Sequence, residues 1–120
     1  MSLSSYKDLR FWQTSKTVSL QIAKLVKKLP NERTAWIIID QLLRASFSVG
    51  ANITEGFGKY KGKEYSRFIQ IALGSARETE YWLELLKEIY PSLSKDIDII
   101  LLINEETIKM LVATLKTLRK

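Results

Sequence analysis

The chain contains no cysteine and no histidine. Without cysteine there is no disulfide, no thiolate nucleophile and no thiolate metal ligand. Without histidine the commonest general base and the commonest transition-metal ligand are both missing. Serine hydrolases built on a triad, cysteine proteases and histidine-ligated metalloenzymes are excluded together. Glycine and proline are scarce, at 5 and 2 residues of 120, so turns must be few and elements long. That scarcity disfavours a β-sandwich or barrel, which needs many turns. Long apolar runs are missing too. The longest, Ala35 to Ile39 and Ile99 to Ile103, have five residues each, whereas a membrane-spanning helix needs ~20. Met1 to Phe11 is polar and lacks the apolar stretch of a secretory signal. The expectation is a cytoplasmic protein with no membrane partner and no cofactor.

What is present is apolar spacing of helical period. Four helices are expected, at about residues 8–29, 33–55, 62–90 and 94–118, forming one domain over residues 1–120. In the first, Phe11, Ser15, Val18, Ile22, Leu25 and Leu29 share a face, and Pro30 and Asn31 end it. In the second, Ala35, Ile39, Leu42, Ser46, Val49 and Ile53 point inward, with Gly56 and Gly58 as C-terminal stops. The third stripe is Tyr65, Phe68, Ala72, Ser75, Thr79, Trp82, Leu86 and Ile89, stopped by Pro91. The fourth is Ile97, Leu101, Asn104, Ile108, Leu111, Leu115 and Leu118, with Ser92 or Ser94 as N-cap and Asp96 and Asp98 in the first turn. Short connections make neighbours antiparallel, so the expected fold is all-α, an up-down-up-down four-helix bundle. Trp12, Ala23 and Val26 flank the first stripe, Trp36, Leu43 and Ala45 the second, and Ile69, Ile71, Leu73, Leu83 and Leu85 the third, more than a small bundle can hide, which argues for self-association.

The formal net charge is +6, and it is uneven. Residues 1–77 carry 13 basic and 5 acidic side chains, whereas residues 78–120 carry 6 and 8. Two basic groups stand out. Lys59, Lys61, Lys63 and Arg67 interleave with Phe57, Tyr60 and Tyr65, and Lys24, Lys27, Lys28 and Arg33 surround the first turn. Cations neutralise phosphates and aromatic rings stack on bases, so both groups are candidate RNA- or DNA-binding sites. In an up-down bundle they fall at opposite ends. The glycine loop from Gly56 to Gly62 is not a P-loop. It follows a helix, its spacing is one residue too long, and Glu64 stands where Ser or Thr must hold Mg²⁺.

Arg44, Ser48, Asn52 and Glu55 share a face of the second helix, and Gly74, Ser75 and Glu78 make a small polar patch on the third. These read as a structural or subunit-interface seam. Arg44 and Glu55 would be worth ~3 kcal/mol if they were a buried, mutual pair. Glu55 and Glu78 are the one conceivable acid–base pair, and nothing else supports catalysis. No metal site is expected.

These residues also carry a resemblance. Gln41-Leu42-Leu43-Arg44-Ala45, Ser48, Asn52-Ile53-Thr54-Glu55-Gly56, and Phe68 with Ile71-Ala72-Leu73-Gly74-Ser75 and Glu78 resemble the four-helix-bundle family named for the 23S rRNA intervening-sequence protein. Lys7-Asp8-Leu9, Trp12-Gln13 and Leu29-Pro30 fit its start and first turn, and Arg77 and Tyr81 depart from its pattern. The resemblance implies a small bacterial helical protein without enzymatic activity, assembled as a homopentamer. In a related group, a basic pentamer is thought to bind nucleic acid and a reverse transcriptase. The function expected is therefore a non-enzymatic, oligomeric, nucleic-acid-binding bundle. The alternative is a protein-interaction scaffold whose basic charge serves solubility only.

Overall fold

In a computed structural model, which describes residues 5–59 and 62–119, the chain forms four long α-helices and no strand among those residues. They are α1 (Arg10–Leu25), α2 (Arg33–Phe57), α3 (Gly62–Ile89) and α4 (Ser94–Leu118). Short 3-10 turns precede α1, follow it at Val26–Lys28, and lead into α4 at Pro91–Leu93. Each helix packs on its sequence neighbours, and α1 closes the ring on α4. Trp12 reaches Thr54, Gly56 meets Phe68, Ala76 meets Asn104, and Thr14 meets Thr107. All four pairings run antiparallel. This is the up-down-up-down four-helix bundle, a rod of about 45 × 23 × 22 Å.

The core comes in two parts. One, at the α2–α3 turn, centres on Phe11, Val49, Ile53, Ile69, Leu111 and Leu115. The other, at the opposite end, centres on Val18, Ile22, Leu42, Leu83, Leu86 and Ile97. Between them lies a buried polar waist of Thr14, Ser15, Ser46, Thr79, Asn104 and Thr107. Its hydrogen bonds are complete. Thr14 and Thr107 hydroxyls lie 2.6 Å apart, and Asn104 Nδ2 donates to the Ala76 carbonyl at 2.9 Å. No buried side-chain polar atom is left unpaired among the described residues, as low-dielectric burial demands.

The inward stripes differ from expectation by one residue in places. Ile38, not Ile39, is buried on α2. On α3 the deep positions are Tyr65, Ile69, Ala72, Ala76, Thr79, Leu83 and Leu86, so Phe68, Ser75 and Trp82 sit at the rim and Ile89 is exposed. On α4 the deep residues are Ile100 and Thr107, in place of Leu101 and Ile108, and Leu118 is exposed. Each helix faces two neighbours, so a residue 100° to either side of the stripe has an apolar contact, and packing decides which goes deepest.

Helix ends also differ. α1 stops at Leu25 and tightens to a 3-10 turn before Leu29 and Pro30. Gly56 is no C-cap. It lies buried inside α2, which ends at Phe57 with right-handed Gly58 as C-cap. Among the described residues only Gly62, at φ 73°, adopts a left-handed conformation, and it opens α3. Neither Ser92 nor Ser94 caps α4. The N-cap is Leu93, and Ser94 donates its hydroxyl to the Pro91 carbonyl. Asp96 lies in the first turn of α4 and pairs with Lys28, while Asp98 lies beyond it and pairs with Lys87.

Candidate nucleic-acid interface

The bundle separates the two basic groups along its length. The α1–α2 turn belongs to one end and the α2–α3 turn to the other. At the α2–α3 end, Lys59 Nζ lies 5.1 Å and Arg67 Cζ 5.7 Å from the centroid of the Phe68 ring. Both cations are also tied to acids. Lys59 pairs with Glu55 at 3.2 Å and Arg67 with Glu64 at 3.6 Å. Lys63 is exposed and makes no ion pair among the described residues. Lys61 and Tyr60 lie outside the described residues. The aromatic rings here are less available than their spacing suggests. Tyr65 is buried, and that burial pushes its phenol pKa up. Phe57 packs edge-on against Tyr6.

At the other end, Lys28 is held by Asp96 at 2.8 Å. Lys24, Lys27 and Arg33 make no ion pair among the described residues. Gln21, Lys24, Leu25, Lys28 and Asp96 line a shallow hollow of about 130 Å³. Trp36, on the first turn of α2, is 55% exposed, and its indole N–H donates to Asn31 Oδ1 at 2.7 Å.

The spacing of loop lysines missed a larger feature. From Arg10 to Lys28, α1 and its 3-10 extension carry Arg10, Lys16, Lys24, Lys27 and Lys28 and not one acidic residue. Arg10 and Lys28 reach across to acids of α4, whereas Lys16, Lys24 and Lys27 have no ion pair among the described residues. Lys16, over the Trp12 ring at 5.5 Å, extends the cationic line from the α1–α2 turn toward the other end. The signal was a simple one: no Asp or Glu occurs between Asp8 and Glu32.

The polar seam resolves into two unlike parts. Ser48, Asn52 and Ser75 form a partly buried network between α2 and α3. Ser75 Oγ donates to Ser48 Oγ at 3.0 Å, and Asn52 Nδ2 donates to the same oxygen at 2.9 Å. Arg44 and Glu55 are not a buried pair. The Arg44 side chain is 74% exposed and bonds Asp40, and that of Glu55 is 61% exposed and bonds Lys59. Glu78 accepts from the Trp82 indole at 3.1 Å. Gly74 is not buried, and a Cβ atom added to it would meet nothing within 4 Å. No group of three or more acidic side chains gathers as a metal site among the described residues. No helix among them is long and apolar enough to cross a membrane.

The sequence profile of the 23S rRNA-intervening sequence protein matches residues 7–113. The chain belongs to that family. A crystal structure of a protein of unknown function from the S23 ribosomal protein family of Bacteroides thetaiotaomicron superposes with a TM-score of 0.80. The two are 32% identical, over 88% of this chain and 98% of the other. No protein of curated function matches the sequence. Nothing in the 23S rRNA-intervening sequence family or in this neighbour points to catalysis.

Proposed function

We propose that this member of the family is a non-enzymatic, oligomeric bundle of the cytoplasm that binds RNA or DNA through the phosphate backbone with little sequence preference. The observation that carries the reading is the acid-free stretch of α1 and its 3-10 extension, on which Lys16, Lys24 and Lys27 have no ion pair among the described residues. Such a line attracts a polyanion without reading base edges. Assembly supplies affinity, because a ring repeats one weak patch several times. A pentamer is the assembly that the family resemblance implies. Lys59, Lys63 and Arg67, with Lys61, form a secondary contact, since ion pairs already occupy two of the four.

Fluorescence anisotropy with a structured RNA tests this. Binding should weaken steeply with salt, with a log–log slope of roughly −3 for three lysines engaged. The triple change of Lys16, Lys24 and Lys27 to Ala should weaken binding more than changing Lys59, Lys63 and Arg67. No binding at low salt ends the proposal. The scaffold reading would then gain, and partners captured from lysate after nuclease treatment would support it.

A further inference from the structure

Three aromatic side chains are exposed among the described residues: Trp36 at 55%, Phe47 at 50% and Tyr81 at 58%. Two of them share a face with lysines of α1 and its extension. On α2, Trp36, Leu43, Phe47, Gly50 and Thr54 recur at helical spacing. Thr54 accepts from the Trp12 indole and Gly50 lies against Ser15, so this row looks toward α1. The facing row is Trp12, Lys16, Ser19, Ala23 and Lys27, in which Ser19 donates to the Ser46 carbonyl at 3.2 Å. Phe47 therefore stands beside Ser19, one turn from Lys16 and Ala23, and Trp36 falls toward Lys27. Lys24 turns instead to the α4 side, where it lines the hollow with Asp96. Because the helices run antiparallel, the two rings and the two lysines lie side by side over about 16 Å. We infer that this α1–α2 face takes single-stranded nucleic acid, with phosphates on Lys16 and Lys27 and unpaired bases stacked on Phe47 and Trp36. This rests on the nucleic-acid reading proposed above and names the form of its ligand.

Exposure alone does not select this face; the pairing of uncovered rings with uncommitted cations does. Neither Phe47 nor Trp36 has a ring or cation partner among the described residues. Trp36 is also held in place, because its indole N–H donates to Asn31. Lys16 and Lys27 have no ion pair among the described residues, and Asp40, the acid between the two rings, is matched by Arg44. The other aromatic positions fail one condition or the other. Tyr81 meets Trp82 edge-on at 5.0 Å, and Arg77, Glu78 and Glu84, one turn away, leave its surroundings net negative. Phe68 already lies under Lys59 and Arg67, although Lys63 nearby makes no ion pair among the described residues. A duplex keeps its bases stacked on one another and offers such a face only phosphates. A single strand offers phosphates and open base faces together.

Fluorescence anisotropy on the full chain tests this with an RNA strand that has no self-complementarity, alone and annealed to its complement. At equal salt the single strand should bind more tightly, by roughly tenfold for two stacked bases. Phe47→Leu and Trp36→Leu keep an apolar side chain and remove the ring. Each should fold with wild-type helicity, weaken single-strand binding roughly fivefold or more, and leave duplex binding unchanged. Phe47→Tyr keeps a ring and should bind as the wild type does. If strand and duplex bind alike and both leucine variants match the wild type, the stacking face is wrong although backbone binding stands. If phosphatidylglycerol vesicles bind the chain more tightly than the single strand does, and Phe47→Leu binds them equally well, the face is a lipid surface and the stacking role falls. If no strand or duplex binds at low salt, the stacking face and the nucleic-acid reading fall together.

Discussion

A Cβ atom placed on Gly56 would lie 2.7 Å from Cβ of Phe68, closer than carbon atoms approach in folded proteins. Gly56 is thus a point of close approach between α2 and α3, just before their connection. The neighbour's atom is next to its backbone and cannot swing aside. Gly56→Ala should therefore destabilise the fold by about 1–2 kcal/mol, the cost of overpacking minus the higher helix propensity of alanine. Urea unfolding followed by circular dichroism checks this, and a stabilised variant would contradict the close approach.

The waist makes an asymmetric prediction. Asn104 is buried and donates to Ala76. Asn104→Ala opens a cavity and loses that bond, so about 2–4 kcal/mol should be lost. Thr107→Val keeps the shape. The Thr14 hydroxyl still has the Phe11 carbonyl at 3.2 Å as an acceptor. That change should cost about 1 kcal/mol or less. Equal losses in the two variants would show that neither the cavity nor the lost amide bond sets the waist's stability.

Arg44→Ala and Glu55→Ala should each cost about 0.5 kcal/mol or less in the dissociated chain, since each removes an exposed pair one helical turn apart. Chemical unfolding at low protein concentration separates this from any effect on assembly. A loss of several kcal/mol would mean that these side chains are enclosed.

Stability should respond to alkali and barely to mild acid or base near neutrality. Tyr90 donates its hydroxyl to Glu32, which raises its pKa above 10.0, and burial raises that of Tyr65 above the same value. The hydrogen bond to Asp98 raises Lys87 above 10.5. All three are held protonated by folding. Their contribution is complete below about pH 10 and is lost as pH climbs through the raised values. Thermal midpoints should stay level from neutrality to about pH 9 and then fall, with a shallower fall in Tyr90→Phe. A decline starting near pH 7 would be unexpected in a chain without histidine.

The bundle was legible in the sequence because its evidence is local and repeated. Four long apolar periods, two prolines and a glycine-rich turn suffice to order four antiparallel rods. The rotation of each rod was less legible. Tyr65, Ala72, Thr79 and Leu86 belong to the stripe under either phase. Choosing Ile69, Ala76 and Leu83 over Phe68, Ser75 and Trp82 depends on which neighbour stands on which side. Trp82 could not have been placed from its hydropathy, because its indole N–H finds Glu78 at the rim. The candidate site was harder for the same reason. Spacing placed Arg44, Ser48, Asn52 and Glu55 on one face, but not the depth that draws the amide of Asn52 into a network and leaves Arg44 in water. Lys24, Lys27 and Lys28 were found as a cluster, but Lys16 and the continuity of the line along α1 were missed, because attention to clusters of lysine overlooks a long absence of acid.

The hydrogen-bonded waist has a consequence for motion. It splits the interior into two oily compartments that share no deep side chain, and sliding α4 by one turn would strand Asn104 among aliphatic groups at either end. The rods are thereby locked lengthwise, yet each compartment can loosen without dragging the other along. Amide exchange should accordingly reveal two independently breathing halves hinged about a slowly exchanging middle.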